Sequence, residues 1–252
     1  MLNLISNGTP ATQPPLLIAH GLFGSARNWG VIAKRLSADR HVISVDMRNH
    51  GDSPWFDSHQ YVDLAADLAE VIAAHGGRAD VLGHSMGGKA AMALALTQPD
   101  LINRLIIADI APVAYTHTQA HLIHAMRAVD LSVIEKRSDA DAALARVEPN
   151  AGVRAFLLQS LDVKARKWRL NLDALEAAMP DTVGWQDIDA QAQMPTLFLS
   201  GADSHYVLTE HRAAIKRLFP NARFAKIPGA GHWLHAEKPR EFEAAVTAYL
   251  TT

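Results

Sequence analysis

Residues 81 to 93, VLGHSMGGKAAMA, place Ser85 between His84 and Met86, with glycines at 83, 87 and 88. The apolar run ADVLGH before the serine reads as a strand, and the small-residue stretch after it reads as a helix. G-x-S-x-G at such a junction forms a nucleophile elbow, a strained turn that exposes the serine hydroxyl at a strand's carboxyl end. Glycines at 83 and 87 suit a turn where side chains would meet the neighbouring strand and helix, and Gly88 lets the helix approach the sheet. A serine nucleophile needs a base. His232, in the glycine loop of IPGAGHWLHAEKP, follows the last expected strand, whereas His235 falls at a helix entrance. Attack on a carbonyl also needs two backbone N–H donors for the developing oxyanion. The amide of Met86 is one candidate, and that of Leu22 in HGLFGS is the second, with Phe23 as its rival.

The third member of a triad, an acid that orients the imidazole, is ambiguous. In a common arrangement the acid lies three residues after the glycine that ends the seventh strand, but LSGADSHYV puts Ser204 there and Asp203 one residue early. Neighbours in an extended segment point to opposite sides, so the offset aims Asp203 away from the histidine. Asp109, in LIIADIAPV, ends the next apolar run after the serine strand, where a paired parallel neighbour would lie about 4.8 Å away. It is the favoured acid, Asp203 is the alternative, and Ser204 is expected to contact the imidazole or a water beside it.

These side chains need a scaffold that brings strand ends together. From residue 16 to residue 110 short apolar runs (LLIAH, HVISVD, ADVLGHS, RLIIADI) alternate with helical stretches (NWGVIAKRLSA, YVDLAADLAEVIAAHG), the pattern of a parallel sheet covered by helices. The rhythm stops between Pro112 and Met194, where helical patterns follow without a clear strand. It resumes with PTLFLSG, VLTEHRAAIKRLF, RFAKIPG and a last helix from about Pro239. The reading is an α/β core over 1–111 and 191–252, interrupted by a helical cap over 112–190. The candidate substrate contacts are Phe23 of the core with Met126 and Trp185 of the cap, whose apolar residues also include Leu122, Phe156 and Leu157.

The motifs HGLFGS, DMRNHGDS, GHSMGG and GAGHW resemble the α/β-hydrolase fold family over nearly the whole chain. Within it, DMRNHG, GHSMGGKA, IADIAPV and GAGHWLHAEKP resemble the small bacterial esterases of the YbfF type. The resemblance implies a mostly parallel sheet with a cap inserted after strand 6, hydrolysis of small to medium acyl esters through an acyl-enzyme, and no metal or cofactor. It also implies an acid on the sixth strand, and a structural role for DMRNHGDS with Asp46 and Arg48 as internal hydrogen-bond partners. Thioester hydrolysis, acyl transfer and carbon–carbon bond hydrolysis use the same serine machinery, and a non-catalytic ligand-binding member of the fold is the alternative of another class. A dehalogenase or epoxide hydrolase would need aspartate at position 85.

The composition narrows the rest. Of 252 residues 49% are hydrophobic, the formal charge is −2, and there is no cysteine. Disorder, thiolate metal sites and a nucleic-acid-binding basic stripe are thereby disfavoured. MLNLISNGTPATQPP lacks the basic start of a signal peptide, and no apolar run approaches the roughly 20 residues of a membrane span. A cytoplasmic protein acting on a small-molecule ester, without membrane or nucleic-acid partners, is expected; the sequence sets no oligomeric state. His117, His121 and His124 share a helical face, but no acidic residue stands beside them in sequence, so they are read as a solvated cluster and not a zinc site. Lys89 and Arg48 are read as helix-surface and loop partners, not anion anchors.

Overall fold

The computed structural model describes residues 1–251. The chain opens with strand β1 (Leu4–Asn7), then β2 (Leu16–Ala19), helix α1 (Gly30–Leu36), β3 (Val42–Val45) and α2 (Tyr61–Ala74). Strand β4 (Ala79–His84), helix α3 (Met86–Thr97) and strand β5 (Ile102–Ala108) follow. The chain then leaves the sheet for α4 (Ala120–Arg127), α5 (Arg137–Leu144), α6 (Ala151–Leu157), a ribbon of β6 (Leu161–Asp162) and β7 (Lys167–Trp168), α7 (Leu172–Ala177) and α8 (Met179–Val183). It returns with β8 (Thr196–Gly201), α9 (Arg212–Leu218), β9 (Ala222–Ile227), α10 (Leu234–Glu237) and α11 (Pro239–Leu250).

Seven strands form one sheet in the order β1-β3-β2-β4-β5-β8-β9. Only β1 runs antiparallel to its neighbour. Alternate residues serve opposite faces, as the strand period requires. Leu17, Val81, Ile107 and Phe198 join a core with α2, α3 and α9, while Leu16, Ile18, Leu82, Ile106 and Leu199 join another with α1 and α11. Helix α3 is buried from Met86 to Leu96, and its alanines let it lie close to the sheet. The apolar side chains of residues 122–179 build a third cluster that also takes in Phe23.

Two expectations need correction. The strand ending at Asp109, expected as the sixth, is the fifth in chain order, because the 15 residues before β2 hold only one strand. That strand, β1, carries little apolar signal in the sequence, because its four residues form a half-buried edge. The segment between β5 and β8 contains the β6–β7 ribbon, whose two-residue strands are too short for any periodicity.

Candidate active site

Strand β4 delivers Ser85 to the carboxyl edge of the sheet, where its backbone takes φ 52° and ψ −119°. A positive φ is costly for a side-chain-bearing residue and persists only where the surroundings enforce it. Here the enforcement is close packing: a Cβ on Gly83 would collide with the Gly87 carbonyl, and one on Gly87 with the carbonyls of Ala19 and His20. Ser85 donates its own amide to Ala108 on the neighbouring strand at 3.1 Å.

His232 lies on the turn after β9 and reaches back over the sheet edge. Its Nε2 is 3.2 Å from Ser85 Oγ, and its Nδ1 is 2.7 Å from Asp109 Oδ2. Tyr206 stacks on the imidazole with ring centroids 3.8 Å apart, and His84 Nε2 meets the His232 carbonyl oxygen at 2.9 Å. The ring is therefore held from its face, its edge and its backbone.

Asp109 has no solvent exposure and sits just past β5 with φ 51°, a second strained residue at this edge. Its Oδ1 accepts from the Gly201 amide at 3.1 Å, and its Oδ2 accepts from the Ser204 hydroxyl as well as facing the imidazole. Asp203 is exposed, and its recorded bond is a backbone amide to the Ala230 carbonyl. Among the described residues no side-chain contact joins it to His232. Ser204, expected beside the imidazole, binds the carboxylate of Asp109 instead and also accepts the Tyr206 amide at 3.2 Å.

The loop after β2 carries the Leu22 amide and the start of α3 carries the Met86 amide, and both residues line one cleft with Ser85. Met86 opens α3, so its N–H has no intrahelical acceptor. The Leu22 amide donates to no protein acceptor among the described residues. Phe23, the rival donor, takes φ 63° and gives its amide to His50 Nε2 at 3.1 Å, which removes it from the pair. His50 in turn meets the Arg48 carbonyl through Nδ1 at 2.9 Å, and burial holds its pKa well below the ordinary histidine value. This buried histidine holds the Phe23 amide, a contact that sequence reasoning missed. Asp46 and Arg48 do bond internally: Asp46 accepts the Ala26 and Asp52 amides, and Arg48 grips Asp67 through two nitrogens.

A cleft enclosing about 870 Å³, open mouth included, lies above Ser85. Phe23, Leu122, Val153, Phe156 and Trp233 give it an apolar wall, and Tyr61, Lys89, Tyr115 and His117 line a polar end. Met126 and Trp185, expected as substrate contacts, do not reach it. Met126 lies one helical turn beyond Leu122 and is wholly buried among Ile123, Leu144 and Leu157, while Trp185 packs against the core beside Tyr61. His235 stands in the first turn of α10, as expected of a helix entrance, and lines the cleft stacked on Trp29 at 4.2 Å, where burial lowers its pKa to about 3. Lys89, expected on the helix surface, is 1% exposed. The cap histidines diverge, His117 to Tyr206 and His124 to Glu176.

The chain matches the alpha/beta hydrolase family model over residues 16–245. It is 42% identical to the Escherichia coli esterase YbfF, over 94% of this chain and 92% of that protein. It is also 42% identical to the sn-1-specific diacylglycerol lipase ABHD11 of Mus musculus, over 95% of this chain and 82% of that one. A solved marine microorganism esterase superposes with a TM-score of 0.93 at 36% identity, covering 98% of both chains. The protein belongs to the alpha/beta hydrolase family, and its seven-stranded, mostly parallel sheet has that family's fold.

Proposed function

We propose that the chain is a serine carboxylic ester hydrolase that cleaves small to medium acyl esters through an acyl-enzyme. The observation that carries this reading is the continuous line from Asp109 Oδ2 through both nitrogens of His232 to Ser85 Oγ, with steps of 2.7 and 3.2 Å, at the floor of an apolar cleft. Membership of the family and likeness to proteins named esterase and lipase support it.

Ser85 Oγ attacks the ester carbonyl while His232 Nε2 takes its proton. Asp109 holds the imidazole with Nδ1–H toward its carboxylate and stabilises the imidazolium that forms. The amides of Met86 and Leu22 bind the oxyanion. Collapse of the tetrahedral intermediate passes the proton from His232 to the leaving alcohol. Water then enters, His232 takes a proton from it, and the acid is released with Ser85 regenerated.

Residues 112–190 act as a cap over this chemistry, with Leu122, Val153 and Phe156 together with Phe23 giving the acyl chain its apolar wall. No cofactor is assigned to the reaction. No helix among the described residues is long and apolar enough to cross a membrane. The cysteine-free composition agrees with a cytoplasmic location.

A panel of p-nitrophenyl esters and acyl thioesters of increasing chain length, run on the wild type and on Ser85→Ala, tests the reading. Ester turnover that disappears in the variant supports it. Turnover of thioesters alone would move the assignment to thioester hydrolysis, which uses the same acyl-enzyme.

A further inference from the structure

Lys89 is a cation inside the cleft with no carboxylate facing it. It lies one turn along α3 from Ser85, a rise of about 5.4 Å, and side chains on a helix tilt back toward its start. Its Nζ donates to the carbonyls of Val183, at 3.0 Å, and Gly184. The rings of Tyr115 and Tyr61 lie 4.9 and 5.8 Å from it. Burial alone drives its pKa down to about 7, with no neighbouring Asp or Glu among the described residues to raise it.

Buried ammonium groups are ordinarily paired, because removing a charge from water without an opposite charge is expensive. The two carbonyls end the five-residue helix α8. They explain where Nζ rests, yet a helix end carries only a partial negative charge. Two of the three Lys89 N–H donors are thereby engaged and one is left over, on a side chain that lines the cleft. His117 lines the same cleft, and burial first, then His232 and Lys89, lower its pKa.

Resting on the hydrolase reading above, we infer that Lys89 is the specificity-determining residue of an anion subsite, and that the enzyme accepts acyl groups ending in a carboxylate, as in half-esters of short dicarboxylic acids. The substrate carboxylate supplies the missing counter-ion at Nζ, with Tyr61, Tyr115 and His117 around it. The ester carbonyl remains at Ser85.

Mono(4-nitrophenyl) adipate and its neutral isostere 4-nitrophenyl 6-methylheptanoate form the test pair. The ratio of their kcat/KM values cancels every requirement of the Ser85 chemistry that both substrates share. In Lys89→Met the ratio should fall about tenfold to a hundredfold, the scale of a charge-assisted hydrogen bond. In the wild type it should fall as pH rises from 6 to 9, because Lys89 loses its charge near 7. The other groups facing Nζ do not mimic this. His117 discharges below the ordinary histidine range, and Tyr61 and Tyr115 are held protonated above 10 by burial.

A ratio that is flat with pH, or losses in Lys89→Met that are equal for both esters, would overturn the subsite and leave the esterase reading standing. Should Lys89→Met not fold, the wild-type pH series decides. If neither ester is turned over, the hydrolase reading has failed by itself. Calorimetric binding of monomethyl adipate, weakening above pH 7, then still tests the subsite, and absence of that binding rejects it.

Discussion

Ser204 donates its hydroxyl to the same Asp109 oxygen that faces His232 Nδ1. The serine thus braces the carboxylate that faces the imidazole from the neighbouring strand. Tyr206, two residues on, donates its amide to Ser204 and stacks on the imidazole. The β8 turn therefore supports the ring without charging it.

The arrangement makes the two aspartates unequal. Asp109→Asn should lower kcat by about 10⁴, since an amide facing Nδ1 favours the wrong tautomer. Asp203→Asn should cost less than about tenfold, because its carboxylate is exposed and away from the ring. Steady-state kinetics on both variants, with circular dichroism to verify folding, checks the order; the reverse order would reject Asp109 as the orienting acid.

His50 is predicted to matter although it touches no substrate. Replacing it with leucine strands the Phe23 amide, a buried donor whose loss of a partner costs about 1–3 kcal/mol. The loop then shifts the Leu22 amide beside it, and kcat should fall roughly 10- to 100-fold with a small change in KM, as expected for a donor used only in the transition state. An equal rise in KM with kcat unchanged would show that the loop serves binding alone.

Five buried histidines set the acid limit of the fold. Burial is the first cause of the lowered pKa of His20, His50, His59, His84 and His235, to about 4 for His59 and about 3 for His235. Below the unfolded value of about 6.5 the unfolded chain binds protons that the native state refuses. Stability is therefore complete above that pH and is lost as pH falls from 6.5 toward the folded values, with up to about 1.4 kcal/mol per pH unit for each histidine. Urea midpoints at pH 7.5, 6 and 5 should fall steeply and together with activity. An unchanged midpoint at pH 5 would mean that these rings are protonated in the native state.

The legible parts of the site are those in which residue type and position coincide. The glycines flanking Ser85 and those before His232 announce their turns, because each supplies a backbone feature that few other residues allow. Asp109 was accessible only by comparing where two candidate carboxylates emerge from adjacent strands. The proposed donor amides are less legible: Leu22 and Phe23 are neighbours in sequence, and they differ only in the structure, where Phe23 has a positive φ and gives its amide to His50. Lys89 was misread because a lysine near a helix start is ordinarily solvated, whereas α3 is enclosed by the sheet, α2 and α8. Met126 and Trp185 were misassigned for a related reason: the sequence shows that a helix or loop is apolar, but not which face meets a cavity and which meets a neighbour.

The central claim, that Ser85 is the nucleophile of an acyl-transfer reaction, is tested most directly by fluorophosphonate labelling of wild type and Ser85→Ala, followed by mass spectrometry of the labelled peptide. The account predicts one adduct on Ser85 in the wild type, none in the variant, and a loss of about 10⁶ in kcat for a p-nitrophenyl ester. Labelling that persists in a folded Ser85→Ala protein, or ester turnover that survives in it undiminished, would contradict the account.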